Sequence, residues 1–87
     1  MFGGVGPEQP MDGETTGIIY SMKPQLEARF GTIFNIFVPI SYRAQLVAGM
    51  NYTFRVAVDN GKDIYTTVYQ KLPHEGGELS ITEASLK

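Results

Sequence analysis

The stretch Phe34-Asn35-Ile36-Phe37-Val38-Pro39-Ile40-Ser41-Tyr42-Arg43 is where this chain changes its period. Ile36, Val38, Ile40 and Tyr42 alternate with Phe37, Pro39, Ser41 and Arg43. A two-residue period belongs to a strand with one buried face. Pro39 has no N–H to give to a ladder, which predicts an edge position or a bulge.

Downstream the same period returns. Tyr52, Phe54, Val56 and Val58 form one face of a second run, and Ile64, Thr66, Val68, Gln70 and Leu72 one face of a third. A shorter fourth run, Glu78 to Thr82, puts Leu79 and Ile81 together. Asp59-Asn60-Gly61-Lys62 separates two of these runs, and Asn-Gly tolerates positive φ. Strands this closely spaced are consecutive hairpins of an antiparallel sheet.

Upstream the period is that of a helix. Ile18, Ile19, Met22, Leu26 and Phe30 recur at three- and four-residue steps. The helix is expected to start near Gly13 or Glu14 and to stop at Gly31. Pro24 lies inside it, where proline removes a hydrogen bond. The apolar stripe keeps its phase across Pro24, which predicts one kinked helix rather than two. Residues 1–12 hold glycine, proline and little that could pack, and read as an extended, mobile trunk. The fold class is therefore α+β: one kinked N-terminal helix across a four- to five-stranded antiparallel meander, in a single domain spanning residues 1–87.

Composition narrows the function. With no cysteine among 87 residues there is neither a disulfide nor a thiolate metal site, and 43% apolar residues must supply the core. The net charge of -2, without clustered Lys or Arg, argues against nucleic acid. The apolar runs fall well below the roughly 20 residues of a membrane span. No basic segment precedes an apolar run at the N-terminus, so a signal peptide is not expected and cytoplasmic residence is the default. The single histidine, His74, sits in the turn Leu72-Pro73-His74-Glu75-Gly76-Gly77 and reads as a solvated turn residue. The acidic residues are scattered and no acid–base pair is apparent, so neither an enzyme nor a cofactor or metal site is expected.

One loop stands out. In a meander the turns alternate between the two ends of the sheet, so those near Gln45–Met50 and Pro73–Gly77 share one end and Asp59–Lys62 takes the other. The Asp59–Lys62 turn is polar, whereas Leu46, Val47 and Ala48 are apolar. Two readings stay open on pattern alone. Either the strand runs on through Val47 and turns at Gly49 to Asn51, or the apolar tip is exposed and awaits a partner.

At this loop the chain resembles a known family. Gln45-Leu46-Val47-Ala48-Gly49 is similar to the Gln-Val-Val-Ala-Gly signature of the cystatins, with Leu replacing the first Val. Met50-Asn51-Tyr52 follows it as Thr-Asn-Tyr does in the family. Lys23-Pro24-Gln25-Leu26-Glu27 resembles the helix of the stefins, the cytosolic type-1 branch without disulfides, and Leu72-Pro73-His74-Glu75 resembles their second loop. Gly3-Gly4 matches the trunk glycine. Four motifs in order cover nearly the whole chain. Two departures accompany them: with Lys87 as the last residue of this sequence, the tail that stefins carry past the last strand, and its minor protease contact, are not expected, and Gly17 sits inside the helix at about 1 kcal/mol relative to alanine.

The resemblance implies a reversible, competitive, tight-binding inhibitor of papain-like cysteine proteases such as cathepsins L, B or H. It implies a cystatin-like fold whose trunk and two loops form a wedge. Gly3, Gly4 and Val5 would lie on the unprimed side of the cleft. Gln45, Leu46, Val47, Ala48 and Gly49 would sit beside the catalytic cysteine, and Leu72, Pro73 and His74 on the primed side. The expected state is a monomer. The alternative is a domain-swapped dimer, because a strained hinge at Gln45 to Gly49 could open into one long strand.

Overall fold

The central strands of the sheet obey their sequence pattern, and the outer ones depart from it. The computed structural model of the protein describes residues 5–87. A short strand β1 (Gln9–Pro10) precedes the helix α1 (Gly13–Phe30). Four longer strands follow: β2 (Phe37–Val47), β3 (Gly49–Val58), β4 (Asp63–Gln70) and β5 (Leu79–Leu86). The strands lie in the order β1-β2-β3-β4-β5, each antiparallel to its neighbours. The expected meander is therefore present, and its fifth member is the short β1.

The helix begins where its capping residues dictate. Asp12 accepts a hydrogen bond from the Thr15 N–H at 2.8 Å, and Thr15 Oγ1 accepts one from the Asp12 N–H at 3.2 Å. This reciprocal pair satisfies two backbone donors that a helix start leaves free. The bonds from Thr15 hold the Asp12 carboxyl below its ordinary pKa. Gly31 ends the helix in the left-handed region, φ 67°, with its N–H on the Glu27 carbonyl. The helix runs through Pro24 as one segment. Pro24 is exposed, so its ring faces away from the sheet.

Ile18, Ile19, Met22 and Leu26 are buried against the sheet, as their spacing predicts, and Phe30 is half-buried beside them. From the sheet come Tyr52, Phe54, Val56 and Val58 of β3, and Ile64, Thr66 and Val68 of β4. The buried side chains of each of these two strands keep one parity, from Tyr52 to Val58 and from Ile64 to Val68.

β2 does not. The first alternating run was expected to share one face from Ile36 to Tyr42, beginning at Phe34. The strand in fact begins at Phe37, and Ile36, Val38 and Ile40 are exposed while Phe37 is buried. A register shift between Pro39 and Ser41 leaves Ile40 unpaired. Phe37 and Pro39 lie opposite Val58 and Val56, whereas past the bulge Tyr42 and Ala44 lie opposite Phe54 and Tyr52. The bulge that Pro39 foreshadowed thus exchanges the inward set from odd to even positions. The residues before β2 are held by side chains. Glu27 Oε2 accepts from the Phe34 N–H, and the Asp59 carboxylate accepts from the N–H groups of Asn35 and Ile36.

β5 uses the same device. It runs to Leu86 rather than stopping at Thr82, because a second register shift leaves Thr82 unpaired opposite Thr67 and Val68. Leu79 and Ile81 pack on the core before it, and Ala84 and Leu86 after it. The alternation of the fourth run breaks at this bulge, which is why its sequence pattern stops at Thr82 while the strand continues. Bulges bend and twist a strand, and here they lie on both flanks of the sheet around the helix.

Candidate functional site

The β2–β3 hairpin is tighter than a loop of five residues would be. Val47 pairs with Gly49, Leu46 with Met50 and Gln45 with Asn51, so Ala48 alone lies outside the ladder. Both open readings of this stretch were partly right. The strand does run on through Val47, but the turn is at Ala48 and the tip is exposed. In this direction Tyr52 is the last buried core side chain of β3, Met50 packs against the core only in part, and Gly49 is buried against Gln70 and Tyr69 of β4. Leu46, opposite Met50, keeps 66% of its surface exposed. Ala48 is exposed and Val47 half-buried. The segment Gln45 to Met50 carries no charge.

Gly49 makes this turn possible. Its φ is 121°, where L side chains are rarely found. A Cβ there would collide with the Gln70 carbonyl oxygen of β4, and would lie 2.9 Å from Tyr69 Cε1 and 3.0 Å from Tyr69 Oη. The same Tyr69 hydroxyl donates a hydrogen bond to the Ala48 carbonyl. The tip is thus seated on the neighbouring strand.

The second loop lies beside the first. Met50 pairs with Gln70, the last residue of β4, and the chain then turns through Lys71 to Glu78 before Leu79 begins β5. Leu72, half-buried, leads into one turn of 3₁₀ helix from Pro73 to Glu75. The Leu72 carbonyl accepts from the N–H groups of Glu75 and Gly77, and the Lys71 N–H bonds the Glu78 carbonyl at 2.9 Å. Pro73 and His74 are exposed at its rim. A cleft of about 450 Å³ separates the two loops, bounded by Leu46, Gly49 and Met50 on one side and by Gln70, Leu72 and Pro73 on the other.

The N-terminal segment runs toward the same end. Gln9 and Pro10 pair with Tyr42 and Ser41. Continuing backwards, the Gly6 N–H donates to the Ala44 carbonyl at 2.9 Å, and Arg43 Nη1 donates to the Gly6 carbonyl at 3.2 Å. Ser41 donates to the Glu8 carboxylate. Within the segment read as a mobile trunk, residues 6–10 are therefore laid along the edge of β2. Gly6 is small for a reason, since a Cβ would come within 3.0 Å of the Ala44 oxygen. Val5 is exposed where the segment points toward the tip. Gly3 and Gly4, the other trunk candidates, lie outside the described residues.

The structure thus brings Val5, Gln45 through Gly49, and Leu72 through His74 to one end of the sheet. It adds Gly6, Arg43, Met50, Tyr69 and Gln70, which sequence reasoning did not select. Strand parity could have found Gln70. Nothing in the sequence links Tyr69 to Ala48. Among the described residues no group of three or more His, Asp or Glu side chains is placed to hold a metal ion, and no helix is long and apolar enough to cross a membrane.

Comparison with known proteins gives this geometry a family. The cystatin domain model matches residues 3–86. The chain belongs to the cystatin family, in its type-1 branch, the stefins. It is 37% identical to cystatin-B of Bos taurus over 82 residues, covering 94% of this chain and 84% of that protein. It is 35% identical to stefin-C of Bos taurus, covering 92% of this chain and 79% of that protein. It is also 35% identical to cystatin-A of Felis catus, covering 92% and 82% respectively. Membership supports a cysteine-protease inhibitor role, with cysteine proteases as partners. Cystatins are inhibitors rather than enzymes.

Proposed function

We propose that this chain is a reversible, competitive inhibitor of papain-like cysteine proteases that blocks the active-site cleft with a three-part wedge. The observation that carries this reading is the convergence of three segments at one end of the sheet. They are the Val47-Ala48-Gly49 tip, the Leu72-Pro73-His74 rim and the edge segment leading back through Gly6 and Val5. All three are tied by hydrogen bonds to the sheet or within their own turn. A preformed wedge loses little conformational entropy on docking.

The chemistry of the tip fits a protease cleft. It is uncharged and one residue wide. Leu46 has the most apolar surface left to bury, and removing it from water would contribute about 1–2 kcal/mol. Val47 and Leu72 are half-buried already and would contribute less. The turn at Ala48 is held on both sides by the ladder, so no extended peptide bond is offered for attack. The wedge occludes the catalytic cysteine without being cleaved. Cathepsins L, B, H or similar enzymes are the partners it would meet, with the inhibitor itself a monomer in the cytoplasm.

Titration of papain tests this. Stoichiometric loss of activity, reversed by competing substrate, is expected. Papain whose catalytic cysteine is blocked by a small group should still bind. A chain that leaves papain activity untouched, or binds only through the free thiol, would overturn the wedge.

A further inference from the structure

The tip overhangs the strand that supports it. Met50 opposite Gln70 is the last pairing between β3 and β4, so Val47, Ala48 and Gly49 extend past the end of the β4 ladder. The core thins out beneath them: Tyr52 is its last buried side chain on β3, Met50 packs against it only in part, and Gly49, though buried, has no side chain to add. Such an overhang should splay, because a two-stranded ribbon by itself is marginal in water. Tyr69 spans the gap. Its register partner is Asn51, and from there its ring reaches along Gly49 while its hydroxyl donates to the Ala48 carbonyl.

We propose that Tyr69 is the positioning residue of the inhibitory tip. Two separate contacts give it that role. The hydroxyl bond fixes the plane of the Ala48–Gly49 peptide. The ring edge occupies the space that only a glycine at position 49 leaves open, so the tip is drawn down against β4. Tyr69 keeps the turn narrow in the free protein, and the protease meets a tip already shaped for its cleft. The inference rests on the inhibitory reading above.

The test separates the two. Tyr69→Phe removes the hydroxyl and keeps the ring. In the free variant the Ala48 carbonyl ¹³C resonance should move upfield and the amide protons of Ala48 and Gly49 should exchange faster, with an unchanged thermal midpoint. The inhibition constant against papain should rise roughly 3- to 10-fold, the range set by one net hydrogen bond. Tyr65→Phe is the control. It changes a tyrosine on the same face of β4 near the opposite end of the sheet, and should alter neither signal. An unmoved Ala48 resonance in Tyr69→Phe would overturn the latch. A moved resonance with an unchanged inhibition constant would overturn its positioning role. A parent chain that fails to inhibit papain would sink the inhibitory reading, and the Ala48 resonance would still report the latch.

Discussion

The two ends of the β3 strand turn in different ways. At the far end, Asn60 and Gly61 take φ values of 64° and 67°, and a Cβ on Gly61 would meet nothing within 4 Å. That turn is shaped mainly by its own residues. At the near end, Gly49 takes φ 121° with β4 pressed against it. That turn is shaped by its neighbour. The far turn is polar and needs only solvent around it, whereas the near one is apolar and needs a strand beneath it. A hairpin tip can be exposed and still be set by tertiary packing.

This contrast can be broken at several places. Gly49→Ala should have the largest effect, because both φ and space forbid a side chain there. The inhibition constant against papain should rise about 30-fold or more, which corresponds to about 2 kcal/mol. A fall in the thermal midpoint should accompany it. Unaltered inhibition would mean that the tip does not depend on its seat on β4.

Asp59→Ala probes a non-local duty of the far turn, the bonds its carboxylate accepts from the N–H groups of Asn35 and Ile36. Urea denaturation should show a loss of about 1–2 kcal/mol with inhibition unchanged. Gly61→Ala should lose about 1 kcal/mol, the penalty for an L side chain in the left-handed region, again with full inhibition. If Gly61→Ala weakened inhibition as much as Gly49→Ala, the two ends would not be independent.

Gly17→Ala is the counter-example. Gly17 is exposed in mid-helix, its φ is not positive, and a Cβ there would meet nothing within 4 Å. Alanine should therefore stabilise the protein by about 0.5–1 kcal/mol in the same denaturation experiment. The smallest effect concerns acid. Asp12 in the folded state holds its proton less tightly than its ordinary value of 3.8, through the bonds from Thr15. Its stabilising contribution is present above that value and is lost as pH falls through the lower folded one. Melting followed from about pH 5 to about pH 2 should slope less for Asp12→Asn than for the parent chain.

Much of the architecture was legible from periodicity. β3 and β4 are central and regular, so Tyr52 to Val58 and Ile64 to Val68 read as they fold. The helix stripe was equally plain, and Asn60-Gly61 announced its turn. The errors cluster on β2 and β5. One unpaired residue, Ile40 or Thr82, reverses which side chains face inward, and an alternating pattern holds no record of that reversal. Two-residue β1 was missed because Gln9-Pro10 has no apolar alternation, and its pairing with β2 uses backbone and Glu8 instead.

The site divides in the same way. The local identity of Gln45 to Gly49 and of Leu72 to His74 was readable as turn chemistry and as a family signature. Strand parity alone placed both at one end. The width and rigidity of the tip were not readable, since they come from contacts between residues far apart in the chain. Tyr69 reaches Ala48 across 21 positions, and Arg43 reaches Gly6 across 37. By itself the sequence determined that residues 45–49 are an apolar stretch near a hairpin turn, and left open whether the strand runs on through Val47. Only the tertiary structure decided that Ala48 is its single unpaired residue and that β4 holds it, because a glycine's need for space depends on what packs against it.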